Sequence, residues 1–219
     1  MIIIQRLLVP LLVLCAFAPL KAQDYAPQGG NFSFGVRNTF SLFSDGDPHG
    51  FGYGAGAHVR LQIIDRVNTE WFGDILTSSI LNKAHRTDYH IGWSVMYYII
   101  NPRGFTRKFT PYVVAGHCFD LARIKINGPG GALGSRVTAA VQAGFGCHYN
   151  ITPKFDISLC AQYMIHLGKE VDAEEDPDGS MEIVTHKNAG WEGHLLISLS
   201  ANYKIAQLWK PKQKKVKAL

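Results

Sequence analysis

The sequence predicts an all-β chain: an eight-stranded antiparallel up-and-down transmembrane β-barrel with its apolar face turned outward. Three observations carry this. Eight segments place apolar or aromatic residues at every second position, the mark of a strand with two unlike faces. No stretch after the first 23 residues is long and apolar enough to cross a bilayer as a helix. The connections alternate between long or Gly/Asp-rich stretches and shorter reversals, so one rim carries loops and the other carries turns.

Strand one runs from Asn31 to Leu42, with Phe32, Phe34, Val36, Phe40 and Leu42 on one face. Asp45-Gly46-Asp47-Pro48 then breaks the pattern. Strand two, Phe51 to Ile63, sets Tyr53, Ala55, Ala57, Val59 and Leu61 against Gly54, Gly56, His58, Arg60 and Gln62. Asp65-Arg66 makes a tight reversal into strand three, with Val67, Thr69, Trp71, Gly73 and Ile75 outward and Glu70, Phe72 and Asp74 inward. The polar stretch Thr77 to Arg86 reads as a loop. Strand four is the clearest, with Tyr89, Ile91, Trp93, Val95, Tyr97 and Ile99 alternating with His90, Gly92, Ser94 and Met96.

Asn101-Pro102-Arg103-Gly104 breaks the chain before strand five, near Thr110 to Asp120, and Leu121 to Ser135 reads as a Gly-rich loop. Strand six alternates from Val137 to Tyr149. Asn150-Ile151-Thr152-Pro153 turns into strand seven, Phe155 to Ile165. An acidic loop from Leu167 to Ala189 precedes strand eight, Gly190 to Tyr203. Strands of 10 to 14 residues match a tilted crossing of a thin bilayer.

Residues 1–23 read as a secretory signal peptide, with Arg6 as the basic region and Leu7 to Leu20 as the apolar run. The barrel is expected over 24–205 and a basic tail over 206–219. The formal charge of +5 misleads, because five lysines (Lys210, Lys212, Lys214, Lys215 and Lys217) crowd the last ten residues. That cluster is a solvated tail rather than a nucleic-acid site. Past the leader, Cys118, Cys147 and Cys160 form an odd set. The strand registers set Cys147 near Asp156 and Cys160 opposite Ala143, which predicts three free thiols.

Aromatics near strand ends (Phe40, Trp71, Tyr89, Tyr97, Tyr112, Tyr149, Phe155, Trp191 and Tyr203) suit interfacial girdles. With the strand count and loop pattern, they make the chain resemble the small eight-stranded outer-membrane barrels, the OmpA-like and OmpX-like porin-family proteins, over nearly its whole length. The resemblance implies export to the outer membrane of a Gram-negative-type cell, outer-membrane lipids as immediate partners and loops that could bind an extracellular partner. No cofactor and a monomer are expected, and no enzyme, because nothing arranges nucleophile, base and orienter in recognisable order. One departure is that the chain continues past Tyr203, where such proteins commonly end on an aromatic.

The inferred lumen holds Arg37, His58, Arg60, Glu70, Asp74, His90 and Asp156, with Gln142, His148, Gln162, His166, His194, Ser198, Ser200 and Asn202. Eight strands leave room only for side chains, so these are expected to form a polar plug with Arg60 paired to Glu70 across the Asp65-Arg66 turn. The five histidines sit on five strands at mixed heights and read as hydrogen-bonded core groups rather than ligands. Asp172, Glu174, Glu175, Asp176 and Asp178 offer hard oxygen ligands, but in no EF-hand register; a solvated loop is the plainer reading and a weak cation site the sharper one. His194 with Ser198 or Ser200 and Asp156 could suggest a lipid-modifying hydrolase, but no Gly-x-Ser-x-Gly elbow accompanies them. A narrow pore and a soluble lipocalin-like carrier of a hydrophobic ligand complete the range of functions that the pattern allows. Alternation alone does not say which face is inside.

Overall fold

The computed structural model describes residues 29–43, 51–186 and 193–210. The leader 1–23, the Asp45–Gly50 loop, Trp191 and the lysines beyond Lys210 lie outside the described residues. Ten strands follow in chain order: β1 (Asn31–Phe43), β2 (Phe51–Ile64), β3 (Val67–Ile80), β4 (Ala84–Tyr98), β5 (Phe109–Ile126), β6 (Leu133–Asn150), β7 (Phe155–His166), β8 (Glu170–Glu175), β9 (Met181–His186) and β10 (Gly193–Gln207). Eight of them close a barrel in the order β1-β10-β7-β6-β5-β4-β3-β2, while β8 and β9 pair only with each other. All barrel neighbours are antiparallel, β1 with β10 included. Closure leaves no barrel edge unpaired, which a hydrocarbon surround demands.

The barrel is turned inside out relative to a water-soluble one. Phe34, Val36, Tyr53, Trp71, Ile91, Tyr97, Phe119, Phe145, Leu159 and Tyr203 are exposed on its outer wall. Every lumen residue anticipated from the alternation is buried, including Arg37, His58, Arg60, Glu70, Asp74, His90 and Asp156. Strand pairing arranges the outer wall in rows. Thr69, Val95, Ala115 and Ala143 stand side by side, then Trp71, Trp93, His117 and Val141, then Gly73, Ile91, Phe119 and Ala139. Tyr97 lies one row below this set, and the row above is Ile75, Tyr89, Leu121 and Val137. Eight residues of β4 separate Tyr97 from Tyr89, about 27 Å of strand and about 20 Å of height at the usual tilt, close to the height of an apolar membrane band.

The strands depart from the sequence expectation in several places. Thr77–Arg86 and Leu121–Ser135 are not loops: β3, β4, β5 and β6 continue through them, leaving reversals only at residues 81–83 and 127–132. Their outward residues (Thr77, Ser79, His85, Thr87, Arg123, Lys125) are polar because the strands have risen out of the apolar band, so the apolar contrast on which a period of two depends fades there. Conversely, the connection after β4 spans residues 99–108 and contains a short 3-10 helix, Arg103–Phe105. The acidic Leu167–Ala189 segment contains the β8–β9 hairpin, and β10 runs to Gln207, beyond the expected boundary at 205.

Two girdle assignments also change. Tyr112 faces inward and is 1% exposed, stacked on His148 with ring centroids 4.5 Å apart. Gly146 makes this arrangement feasible, since a Cβ there would overlap the Tyr112 ring. Trp71 belongs to a middle row and not to a rim. The cysteines are free, but their registers differ from expectation: Cys147 pairs with Leu159 and Cys160 with Gly146. The reversal centres on Pro153-Lys154, because the Thr152 hydroxyl accepts the backbone N–H groups of Lys154 at 3.2 Å and Phe155 at 3.0 Å.

Candidate functional site

The lumen holds two charged networks that adjoin where Asp74 stands opposite His90. The first lies toward the rim formed by the turns at 65–66, 99–108 and 151–154. Glu70 on β3 accepts from Arg60 Nε at 2.6 Å, across the Asp65-Arg66 turn, and from Arg37 at 3.0 Å. Arg37 continues to Asp74 at 3.1 Å, and Arg60 crosses the lumen to Asp156 on β7 at 3.3 Å. Asp156 also receives Lys204 at 3.3 Å and Asn202 at 3.1 Å. Three cations thus meet three carboxylates, and the chain of contacts ties β1, β2 and β3 to β7 and β10.

Charge balance makes this burial tolerable. A lone ion in a low-dielectric interior is very costly, whereas a compensated and hydrogen-bonded set is not. Aromatic rings fill the remaining space. Arg37 lies over the Phe72 ring at 4.6 Å, and Tyr98 meets Tyr112 edge to face with centroids 6.2 Å apart. One cavity lined by Arg60, Tyr98, His148, Asp156 and Lys204, and another lined by Arg37, Glu70, Tyr112 and Ser198, measure about 10 Å³ each. That is room for roughly one water molecule.

This end is also stoppered. Phe105, from the 99–108 connection, is 3% exposed and packs edge-on to Tyr98, while Lys204 Nζ caps its ring at 3.8 Å. Arg103 (φ 47°) and Phe105 (φ 59°) occupy the left-handed region, a strained conformation for residues with a Cβ. The Arg103 N–H donates to Asn101 Oδ1 at 2.9 Å, which helps hold the loop in that shape.

The second network lies toward the opposite rim, and much of it was not legible in the sequence. Asp120 on β5 is fully buried and is met by His166 Nε2 at 3.1 Å, His90 Nε2 at 3.4 Å and Arg136 at 3.3 Å. His194 Nε2 lies 3.1 Å from His166 Nε2, and its Nδ1 lies 3.0 Å from Ser41 Oγ. The expectation of histidines scattered at mixed heights therefore fails for three of the five, which converge around one carboxylate. Arg86 pairs with Asp88 at 2.9 Å beside this cluster, so two arginines balance two aspartates.

Beside the networks, Phe72, Leu76, Cys118, Ala140, Met164 and Leu196 form an apolar cluster. Above the second network the β8–β9 hairpin packs over the β3–β6 side of the mouth. Val171 and Ala173 pack on Ile80, Ala84 and Ile124, with Met181 and Ile183 beside them. Lys83 in the β3–β4 reversal fastens the hairpin through Glu175 Oε1 at 2.6 Å and the Gly179 carbonyl at 3.0 Å.

The remaining candidate residues fall as follows. Asp172, Glu174, Glu175, Asp176 and Asp178 are strung along this hairpin. The Ser180 hydroxyl and backbone N–H donate to Asp178 and hold its carboxyl below the usual range. Among the described residues, no group of three or more His, Cys, Asp or Glu side chains is arranged to hold a metal ion. The hydrolase-like set is not brought together: Ser198 meets Thr39 and Arg37, Ser200 meets Arg60, and His194 meets Ser41 and His166.

No protein-family model and no curated protein matches the chain. Solved structures do. Neisserial surface protein A aligns over 82% of this chain and 99% of its own, at 16% identity and a TM-score of 0.51. Ail, the attachment invasion locus protein of Yersinia pestis, aligns over 81% and 100%, at 13% identity and a TM-score of 0.52. A major outer membrane protein from Thermus thermophilus aligns over 80% and 99%, at 13% identity and a TM-score of 0.50. At such identities the likeness shows the fold, which is that of the small eight-stranded outer-membrane barrels.

Proposed function

We propose that this chain is a sealed barrel of the outer membrane, acting through the surface of its long-loop rim and neither conducting solute nor catalysing a reaction. The observation that supports the reading is the lumen: among the described residues, two charge-balanced networks, a buried apolar cluster, Phe105 at one end and the β8–β9 hairpin at the other occupy it. The apolar outer wall supports a membrane setting, and the turns at 65–66 and 151–154 would face the periplasm, as short turns do in this architecture. A leader over 1–23 would direct export, and both ends of the described barrel, near Gly30 and Leu208, share the turn rim.

The extended β3–β6 strands and the acidic β8–β9 hairpin would then stand outside the cell as the surface offered to a partner. Function on such scaffolds usually resides at exposed segments held by rigid strands. A narrow pore is the second reading, and one measurement separates the two. The protein reconstituted into planar bilayers is expected to give no steady single-channel conductance. Stable, long-lived openings in most insertions would replace the plug by a pore.

A further inference from the structure

We propose that the outward face of the β3–β6 extension is a docking site for the phosphorylated headgroups of anionic lipids in the surrounding leaflet. The site rests on the proposed outer-membrane setting of the barrel. Ile75, Tyr89, Leu121 and Val137 form the last apolar row of the outer wall, and Val137 is 72% exposed on it. The next row up is Thr77, Thr87, Arg123 and Ser135, and the one above it is Ser79, His85, Lys125 and Leu133.

The change from apolar to polar between adjacent rows marks where hydrocarbon gives way to headgroups. Arg123, Lys125 and His85 are exposed and point sideways from the wall, so they sit at lipid headgroup level and not in the loop crown. No carboxylate occupies either polar row, and neither Arg123 nor Lys125 pairs with a carboxylate among the described residues. His85 and Lys125 are direct cross-strand neighbours, and two such groups side by side favour an anion between them. The Arg123 guanidinium lies 5.7 Å from the centre of the Tyr89 ring, anchored at the girdle with its donors free. Thr87 and Ser135 add hydroxyls that can bond phosphate oxygens, while those of Thr77 and Ser79 already meet His85 at 3.4 Å and Asn82 at 3.5 Å.

The patch is one-sided. On the adjoining β1–β2 wall the outward residues stay apolar to the strand ends, with Tyr53 next to Thr77, Phe40 beside Tyr53 and Leu42 beside Phe51. The cations' place directly above the apolar edge matches an amphiphile, whose chains lie along Ile75, Tyr89, Leu121 and Val137 while its phosphates meet Arg123 and Lys125.

The test uses the protein lacking residues 1–23, extracted in detergent, with purified lipid A as the probe and dephosphorylated lipid A as its control. The unchanged protein is expected to retain lipid A over the dephosphorylated form. The double variant Arg123→Ser with Lys125→Ser should retain about thirtyfold less, as two interfacial cations imply. Equal retention of the two lipids, or unaltered retention by the double variant, overturns the proposal. So does equally variant-sensitive binding of soluble inositol hexakisphosphate by protein in phosphatidylcholine vesicles, which would make the ligand a solvent polyanion. Heat-shifted gel mobility reports separately on the barrel: its absence in the unchanged protein would overturn the outer-membrane reading itself.

Discussion

Glu70→Ala is expected to lower the unfolding free energy by about 3 kcal/mol, near the lower end of what removing one partner of a buried pair costs. Among the described residues Glu70 is the one carboxylate shared by Arg37 and Arg60, at 3.0 and 2.6 Å, and all three side chains are less than 7% exposed. Its removal leaves two guanidiniums facing each other in a space too small for a hydration shell. The loss is limited because Arg37 keeps Asp74 and Arg60 keeps Asp156. Glu70→Gln, which retains the shape and one acceptor, should fall between the alanine variant and the parent. Urea unfolding in phospholipid vesicles, followed by the fluorescence of the lipid-facing Trp71 and Trp93, reads the difference. A change below about 1 kcal/mol would match an exposed, hydrated pair instead.

Asp120→Ala is expected to cost about 3 to 5 kcal/mol, because it removes a fully buried carboxylate on which three groups converge. His90, His166 and Arg136 all turn toward this one carboxylate, and Asp88 is already engaged by Arg86. Asp120→Asn keeps one oxygen acceptor but presents an amide donor to groups that are themselves donors, so it should recover only part of the loss. Asp88→Asn serves as the comparison, since it removes charge from a single pair at the same end of the lumen. Equal effects of the Asp120 and Asp88 variants would mean that the histidine cluster does not depend on its central carboxylate.

Much of this architecture was legible because lipid forces an unusually clean alternation on the chain. His58, Arg60, Glu70 and Asp74 could be placed in the lumen from parity alone, and the pairing of Arg60 with Glu70 from the length of one turn. What could not be read follows from the loss of that contrast. Above Tyr89 the outward residues are polar, so Arg86, Asp88 and Arg136 fell within or beside apparent loops although they are buried. Tyr112 was misplaced because Pro111, Tyr112, Val113 and Val114 offer apolar side chains to both faces, leaving parity undetermined. The convergence of His90, His166 and His194 on Asp120 depends on pairing around the whole barrel. Three strands separated in the chain and a register set at distant turns are not local properties of sequence.

The three cysteines test the inside-out arrangement most directly, because they sample both faces. Cys118 and Cys160 lie in the lumen, at 0% and 9% exposure, while Cys147 is half-buried on the outer wall, where it pairs with Pro111 and Leu159. The experiment is maleimide labelling of the protein lacking residues 1–23, folded in vesicles, with each adduct located by mass spectrometry. The account predicts that a lipid-soluble maleimide labels Cys147 alone and that a charged, water-soluble maleimide labels none of the three until the protein is denatured. Labelling of Cys118 or Cys160 by the water-soluble reagent in the folded protein would contradict the account, since it would require a lumen open to water.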